Sequence, residues 1–384
     1  MGRRIQRVCL VSNSVQGEYT GRFRWAREMG KRGYEVVMVL PGGERADLVE
    51  EMKGAGVEVV PWQFERRHKS VALARAACQL RQTLRAVSCD VIHSFGHAAN
   101  LCTASAARGK GVPVLAHVTG MGSAFVGLRR WPVRTALMGL YRLMRPQVKL
   151  FVFQNADDAA AFSVAPARQK VVIPGTGVDT EEWQTGCVPA GELARVRQSL
   201  GIQADTPVAA YVGRMHRDKG VVELEQAWRI LSRSHPGARL LVVGDEDRTH
   251  MQGSESMTER LRSLPGVLHV PWTKEIKTYL QLSTVVVIPS HREGLPRVGV
   301  EAMALGKPVV ASDAIGCRDI VRHNGNGLLF AVGDANALAR AVEQVLVVPE
   351  VAAAMGRAGR QRAVTEFSLQ RIVDSVESLY PKPI

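Results

Sequence analysis

Residues 284–288 read Thr-Val-Val-Val-Ile, an unbroken apolar run. A strand that is apolar throughout has both faces covered, so it belongs in a parallel sheet between helices. The following residues agree. Pro289 and Ser290 end the run, and His291-Arg292-Glu293-Gly294-Leu295 make a tight loop. Pro296 suits a first helical turn, where its missing N–H costs nothing. Val298, Ala302 and Leu305 share one helix face, and Gly306 with Pro308 stops the helix. Val309-Val310-Ala311 then opens another buried strand.

The same alternation recurs along the chain. Strands are predicted at 8–12, 35–40, 57–60, 90–94, 113–118, 150–153, 171–174, 208–212 and 239–243. Helices are predicted over about 21–31, 70–87 and 221–235, with a last one near the end. Residues 13–20 read as a polar loop. A chain of 384 residues has room for two domains of ordinary size. The expected division is 1–180, then 205–365, with a linker over about 178–204 and a returning helix at 366–384.

Charge is uneven. Residues 1–180 hold 26 Lys/Arg and 13 Asp/Glu, whereas 181–384 hold 24 and 23. The basic half implies an anionic partner: a phospholipid face, a nucleic acid or a phosphorylated substrate. Nucleic acid is disfavoured, since aromatics are only 5% and no helix-turn-helix, zinc or RNA-binding signature occurs. Residues 128–149 carry Arg129, Arg130, Arg134, Arg142, Arg145 and Lys149 among Trp131, Leu137, Met138, Leu140, Leu143 and Met144. That composition fits an interfacial helix or, alternatively, an ordinary amphipathic core helix. No run is long enough to span a membrane and no signal peptide is read, so a cytoplasmic protein with reduced cysteines is expected.

Two constellations carry chemistry. Glu293 lies at the carboxyl end of a strand, where open α/β sheets bind ligands. Glu301 lies roughly 8 Å beyond the helix start. A diphosphate at that helix N-terminus would put a ribose near Glu301 and a sugar near Glu293. The competing reading is a capped surface helix with two solvated acids. Gly213, Arg214 and Lys219 sit in a glycine-flanked loop before a helix, where cations and N–H groups converge on one diphosphate; the alternative is two surface cations. The first loop has Gly17 and Gly21 but not the G-x-G-x-x-G spacing, so a dinucleotide site is not supported. Arg22 opens the next helix, either reaching an acceptor phosphate or solvated. His93 and His97 are four apart without a helix to align them, so no metal pair is expected. Asp245-Glu246-Asp247 has the D-x-D form of a metal site but is read as a variable polar loop.

These motifs together resemble the retaining family 4 glycosyltransferases of the GT-B fold. Glu293-Gly294-Leu295-Pro296 to Glu301 looks like the family's E-x7-E element. Its flanks agree: Pro289-Ser290, Glu301-Ala302-Met303-Ala304 and Gly306-Lys307-Pro308-Val309-Val310. Gly316-Cys317 with Asp319-Ile320-Val321, and Asn326-Gly327-Leu328-Leu329, agree as well. Gly213-Arg214 to Gly220 matches G-R-x5-G, and Pro174 to Asp179 resembles the end of the first GT-B domain. Thr119-Gly120-Met121-Gly122 is similar to the T-G-x-G element of bacterial transferases that extend polyprenyl-diphosphate-linked sugars. Many relatives have a histidine about where Thr119 falls, whereas His117 lies two positions earlier.

The resemblance implies an α/β protein of two Rossmann-like domains facing across a cleft, with a C-terminal helix crossing back to the first. It implies transfer of a hexose or N-acetylhexosamine from a UDP-sugar, with retention, to a lipid-diphosphate-linked saccharide in lipopolysaccharide, capsule or glycan assembly. Arg214 and Lys219 would neutralise the leaving diphosphate. Glu293 would hold the sugar, Glu301 the ribose, and the backbone from Lys274 to Ile276 the base, with Gly213, Gly294 and Leu295 shaping the donor site. Thr119 and Gly120 would line the cleft and His117 would reach it. No cofactor and no metal is implied. The basic first domain would dock peripherally on the inner face of the cytoplasmic membrane. Two rivals are a UDP-sugar 2-epimerase-like GT-B enzyme, which needs no acceptor, and a non-catalytic anion-binding protein.

Overall fold

Thirteen strands among the described residues form two all-parallel sheets in this computed structural model, which describes residues 6–64, 71–122, 131–246 and 256–381. The first sheet contains β1 (Arg7–Ser12), β2 (Glu35–Pro41), β3 (Glu58–Trp62), β4 (Val91–Phe95), β5 (Val114–Val118), β6 (Leu150–Phe153) and β7 (Lys170–Val172), in the order β3-β2-β1-β4-β5-β6-β7. The second contains β8 (Val208–Val212), β9 (Arg239–Val243), β10 (Val267–Val270), β11 (Val285–Ile288), β12 (Val309–Ser312) and β13 (Gly327–Phe330), in the order β10-β9-β8-β11-β12-β13. Both are doubly wound: the chain runs outward from a central strand, then returns and runs the other way.

The apolar runs explain the layering. Side chains alternate faces along a strand. In the second sheet Ala209, Tyr211, Leu240, Val242, Val285, Val287 and Val310 join one core. Val208, Ala210, Leu241, Val243, Val286, Ile288 and Val309 join another on the opposite face. Each strand therefore feeds two cores, which only a run apolar at every position can do.

The chain divides into two compact units, Met1–Gly177 with Leu369–Ile384, and Val178–Ser368. The last helix, Leu369–Glu377, belongs to the first unit. Arg32 binds Asp374 at 2.6 Å and Glu377 at 2.8 Å, and the Tyr34 hydroxyl donates to Glu377 at 2.8 Å. Tyr380 beyond it meets His93 Nδ1 at 2.9 Å. Gly177 has φ +72°, and a Cβ there would lie 2.9 Å from the Leu369 Cα, so only glycine lets the segment approach so closely.

Several expectations need correcting. Residues 178–204 are not a linker: Val178, Trp183, Val188 and Ile202 are buried in the second unit, and Ala190–Leu200 is a helix. Val178, Trp183, Val188 and Ile202 are spaced too widely to show as a pattern. The polar loop 13–20 contains the helix Val15–Thr20, capped by Ser14, whose side chain accepts from the Gly17 N–H. His97–Ala106 is also a helix, buried on nearly all sides and built of small residues without an apolar stripe. The basic helix predicted over 128–149 is Trp131–Met144; Arg129 and Arg130 lie outside the described residues.

Candidate active site

β8 and β11 are neighbours at the point where the second sheet changes winding direction. Their connections leave to opposite sides, so the loops beyond their carboxyl ends open a crevice. One loop carries Gly213, Arg214 and Lys219, the other Glu293.

Backbone contacts join the two loops. Gly220 has φ +69°, and a Cβ there would fall 2.0 Å from the Pro289 carbonyl oxygen. The His291 N–H donates to the Asp218 carbonyl at 2.9 Å, and His291 Nε2 meets Glu223 Oε1 at 2.9 Å. Within this clamp Lys219 Nζ donates to Glu293 Oε1 at 2.6 Å, and Ser290 Oγ donates to the same oxygen at 2.7 Å. The Glu293 N–H donates to the Ile315 carbonyl at 3.0 Å. Gly316, at φ +84°, leaves no room for a Cβ, which would lie 2.5 Å from the Glu293 carbonyl oxygen. Glu293 is thus fixed through its side chain and through its backbone.

Glu301 lies in the helix Arg297–Ala304 and is 1% exposed. Arg297, one turn earlier, approaches its Oε1 at 3.4 Å. Gly294 and Leu295 are buried in the turn leading to the helix. A Cβ on Gly299 would meet Ile320 Cδ1 at 2.2 Å, so that glycine sets how closely the helix packs.

Arg214 is exposed, and its carbonyl accepts the Tyr211 hydroxyl at 2.8 Å. Burial, reinforced by the Glu293 charge, pushes the Tyr211 phenol up, so it stays a donor. The Gly213 N–H donates to the Val243 carbonyl at 3.0 Å. Asp245 accepts from the Met215 N–H through its carbonyl and from the Trp272 N–H through Oδ1 at 3.2 Å. Glu246 accepts from the Met257 N–H at 2.8 Å and the Ser256 hydroxyl at 2.6 Å. The D-x-D residues thus tie loops together; Asp247 lies outside the described residues. Lys274 is exposed, and Ile276 opens the helix Ile276–Leu282, half-buried. Among the described residues no three His, Cys, Asp or Glu are grouped to hold a metal ion.

The remaining candidates lie in the first unit, three of them in or just beyond β5. Arg22 is neither solvated nor at the surface. It is 6% exposed, pairs with Glu18 at 2.8 Å and sits 3.9 Å over the Phe95 ring. His117, on β5, is fully buried, and among the described residues neither ring nitrogen has a hydrogen-bond partner. It stacks on His93 at 5.4 Å, and burial together with the Arg22 charge holds both imidazoles well below their ordinary range. Thr119 and Gly120 follow β5 and are half-buried. The Met121 N–H donates to Asp158 at 3.2 Å, and the rest of that loop, 123–125, lies outside the described residues. His97 bonds the Tyr141 hydroxyl at 2.9 Å, so it and His93 serve different partners.

Sequence reasoning missed Ser290, His291, Glu223 and Tyr211. Ser290 had a signal, a hydroxyl three residues before a carboxylate in a turn. The others depend on packing between distant segments.

Residues 194–362 match the family described as "Glycosyl transferases group 1", and residues 18–176 match "Glycosyl transferase 4-like domain". The alpha-maltose-1-phosphate synthase of Mycolicibacterium smegmatis is 30% identical over 343 residues, covering 82% of this chain and 85% of that protein. The chain belongs to the GT-B glycosyltransferases of group 1 and family 4 type. Another relative of this glycosyltransferase is the capsular polysaccharide biosynthesis glycosyltransferase CapM of Staphylococcus aureus, 32% identical over 176 residues and 46% of each chain. Anabaena HepE, solved in complex with UDP and glucose, shares the fold with a TM-score of 0.79 at 20% identity, covering 97% of this chain and 99% of HepE. The group 1 match contains Gly213, Arg214, Lys219, Lys274, Ile276, Glu293, Gly294, Leu295 and Glu301 of this glycosyltransferase; the 4-like match contains Arg22, His117, Thr119 and Gly120.

Proposed function

We propose that this glycosyltransferase moves a hexose or N-acetylhexosamine from a UDP-sugar to a lipid-diphosphate-linked saccharide, with retention, in surface polysaccharide assembly. The observation that carries this reading is the Lys219–Glu293 pair, 2.6 Å apart at the switch point of the second sheet, with Arg214 on the same loop. A departing nucleotide diphosphate gathers negative charge, which Lys219 and Arg214 would stabilise. Each such group is worth roughly 3 kcal/mol in the transition state. Glu293 would hold sugar hydroxyls and Glu301, inside the helix Arg297–Ala304, the ribose. The fold shared with HepE, which was solved with UDP, supports a uridine donor.

The lipid acceptor rests on the first unit. Its helix Trp131–Met144 leaves Trp131 68% and Leu143 71% exposed, with Val133 and Leu140 also exposed beside Arg134, Arg142, Arg145 and Lys149. Apolar side chains flanked by cations suit the interface of an anionic leaflet. No helix among the described residues is long and apolar enough to cross a membrane, so this reading is of peripheral docking on the cytoplasmic face.

The test is transfer from radiolabelled UDP- and GDP-sugars to a membrane lipid extract, by wild type, Glu293→Ala and Arg214→Ala. Label entering the lipid phase from one UDP-sugar, and lost in both variants, is the expected result. Label that stays water-soluble with every donor would overturn the lipid acceptor. Acceptor-independent conversion of the donor would point to an epimerase.

A further inference from the structure

The amino ends of the strands in the second sheet hold a separate feature. An open depression of about 350 Å³ lies where β8, β11 and β12 begin, lined among others by Arg197, Asp205, Thr206, Gln281, Thr284 and Lys307. Glu293 follows the carboxyl end of β11, so this depression lies at the other end of the sheet from the candidate active site. Lys307 belongs to the Gly-Lys-Pro-Val-Val stretch after the helix Arg297–Ala304, for which the proposed transfer reaction has no use.

The charges here are unbalanced. Lys307 donates to the Ser283 carbonyl at 2.7 Å, and among the described residues it has no carboxylate partner. Arg197, half-exposed on the helix Ala190–Leu200, likewise has no ion pair among the described residues. Asp205 is exposed on the same wall and pairs with neither cation. Burial, with the Arg197 charge added, pulls the Lys307 ammonium down to about 8. Two cations without a carboxylate partner among the described residues, in a depression with hydroxyl and amide groups around it, suit an anion. An arginine presents a planar fork to phosphate oxygens, and a lysine adds a point charge. A carboxylate on the same wall can accept hydroxyl groups, which suits a hydroxylated body attached to the anion.

We propose that Arg197 and Lys307 bind the phosphoryl group of a small phosphorylated polyol, with Asp205 and Gln281 receiving its hydroxyls, as a site apart from the donor crevice. The phosphoryl group could come from a sugar monophosphate or from free phosphate, and the test separates these.

The experiment is isothermal titration of the full chain at pH 8 with glucose 6-phosphate, inorganic phosphate and glucose in turn. It is repeated for Arg197→Gln, Lys307→Met and Lys219→Ala. Saturable binding of glucose 6-phosphate is expected, weakened at least tenfold in Arg197→Gln and unchanged in Lys219→Ala. Inorganic phosphate should bind more weakly, and glucose not at all. Binding should also draw protons from the buffer, because an anion restores the ammonium form of Lys307; this uptake should vanish in Lys307→Met. Inorganic phosphate binding as tightly as the ester would assign the site to free phosphate and overturn the polyol part. No saturable binding, or binding kept in Arg197→Gln and lost in Lys219→Ala, would overturn the site altogether. Arg197 is half-exposed and its side chain has no ion pair among the described residues, so its variant tests the idea even if Lys307→Met fails to fold.

Discussion

Lys219 and Glu293 meet through a single carboxylate oxygen. Lys219 Nζ lies 2.6 Å from Glu293 Oε1, and the Ser290 hydroxyl donates to that same oxygen at 2.7 Å. Among the described residues nothing donates to Oε2, so one oxygen anchors the side chain and the other remains for a ligand hydroxyl. Glu293→Gln keeps the size of the side chain but removes its charge and its hold on Lys219. With the donor identified, kcat should fall by about a hundredfold, while Ser290→Ala, which removes one hydrogen bond to a charged group, should cost on the order of tenfold. Lys219→Ala combined with Glu293→Gln should cost far less than the product of the two single effects, since the pair acts as a unit. Steady-state kinetics of the four variants check this, and multiplicative losses would mean the pair is not coupled.

Gly220 allows the two loops to touch. A Cβ would fall 2.0 Å from the Pro289 carbonyl oxygen, at a φ of +69°. Gly220→Ala must therefore push the loops apart or strain the backbone, and should destabilise the second unit by about 2 kcal/mol or more. Gly237 has open space around the position of a Cβ, so Gly237→Ala should stay within about 0.5 kcal/mol of wild type. Urea unfolding of both variants measures the contrast. Equal midpoints would show that the contact at Gly220 is easily relieved.

His93 and His117 give the first unit a dependence on pH. Burial, with the nearby Arg22 charge, holds both well below the ordinary value of 6.5 in the folded chain. The unfolded chain protonates them near 6.5, so below that pH it binds more protons than the folded chain. Stability is then full above pH 6.5 and falls as pH drops below it, until the folded histidines also protonate. Each histidine contributes a slope of about 1.4 kcal/mol per pH unit in that window. His117→Phe should remove one such share, read from denaturation midpoints between pH 7 and 5. An unchanged slope would mean that His117 is protonated in the folded chain.

Much of the fold was legible because the sheets are buried on both faces. Val285-Val286-Val287-Ile288 and Leu150-Phe151-Val152-Phe153 are apolar at every position, and no other arrangement accepts such strands. The loops bearing Arg214, Lys219 and Glu293 followed from the glycines and prolines bounding them. The helix His97–Ala106 was not legible, because a helix of small residues shows no contrast between its faces. The burial of Arg22 was not legible either. Its partner Glu18 stands four residues earlier, but Phe95 below it comes from β4, and such pairing between distant strands leaves no trace in local sequence. Ser290 was read as the end of a strand and His291 as the start of the loop after it, and their roles emerge only where β8 and β11 become neighbours.

The helix Trp131–Met144 makes the membrane reading quantitative. Arg142 and Arg145 are exposed beside Leu143, itself 71% exposed. Each basic residue near an anionic leaflet contributes about 1 kcal/mol, or roughly fivefold in partitioning. Arg142→Ala with Arg145→Ala should therefore weaken sedimentation with vesicles containing phosphatidylglycerol by about thirtyfold, and raised salt should weaken wild type in the same direction. Leu143→Glu removes an apolar contact and adds repulsion, so it should weaken binding as well. Arg233, exposed on the helix Val221–Ser234 of the second unit, serves as a control for net charge alone. If Arg233→Ala weakened binding as much as Arg142→Ala, attraction would follow total charge, and the helix would have no special part in docking.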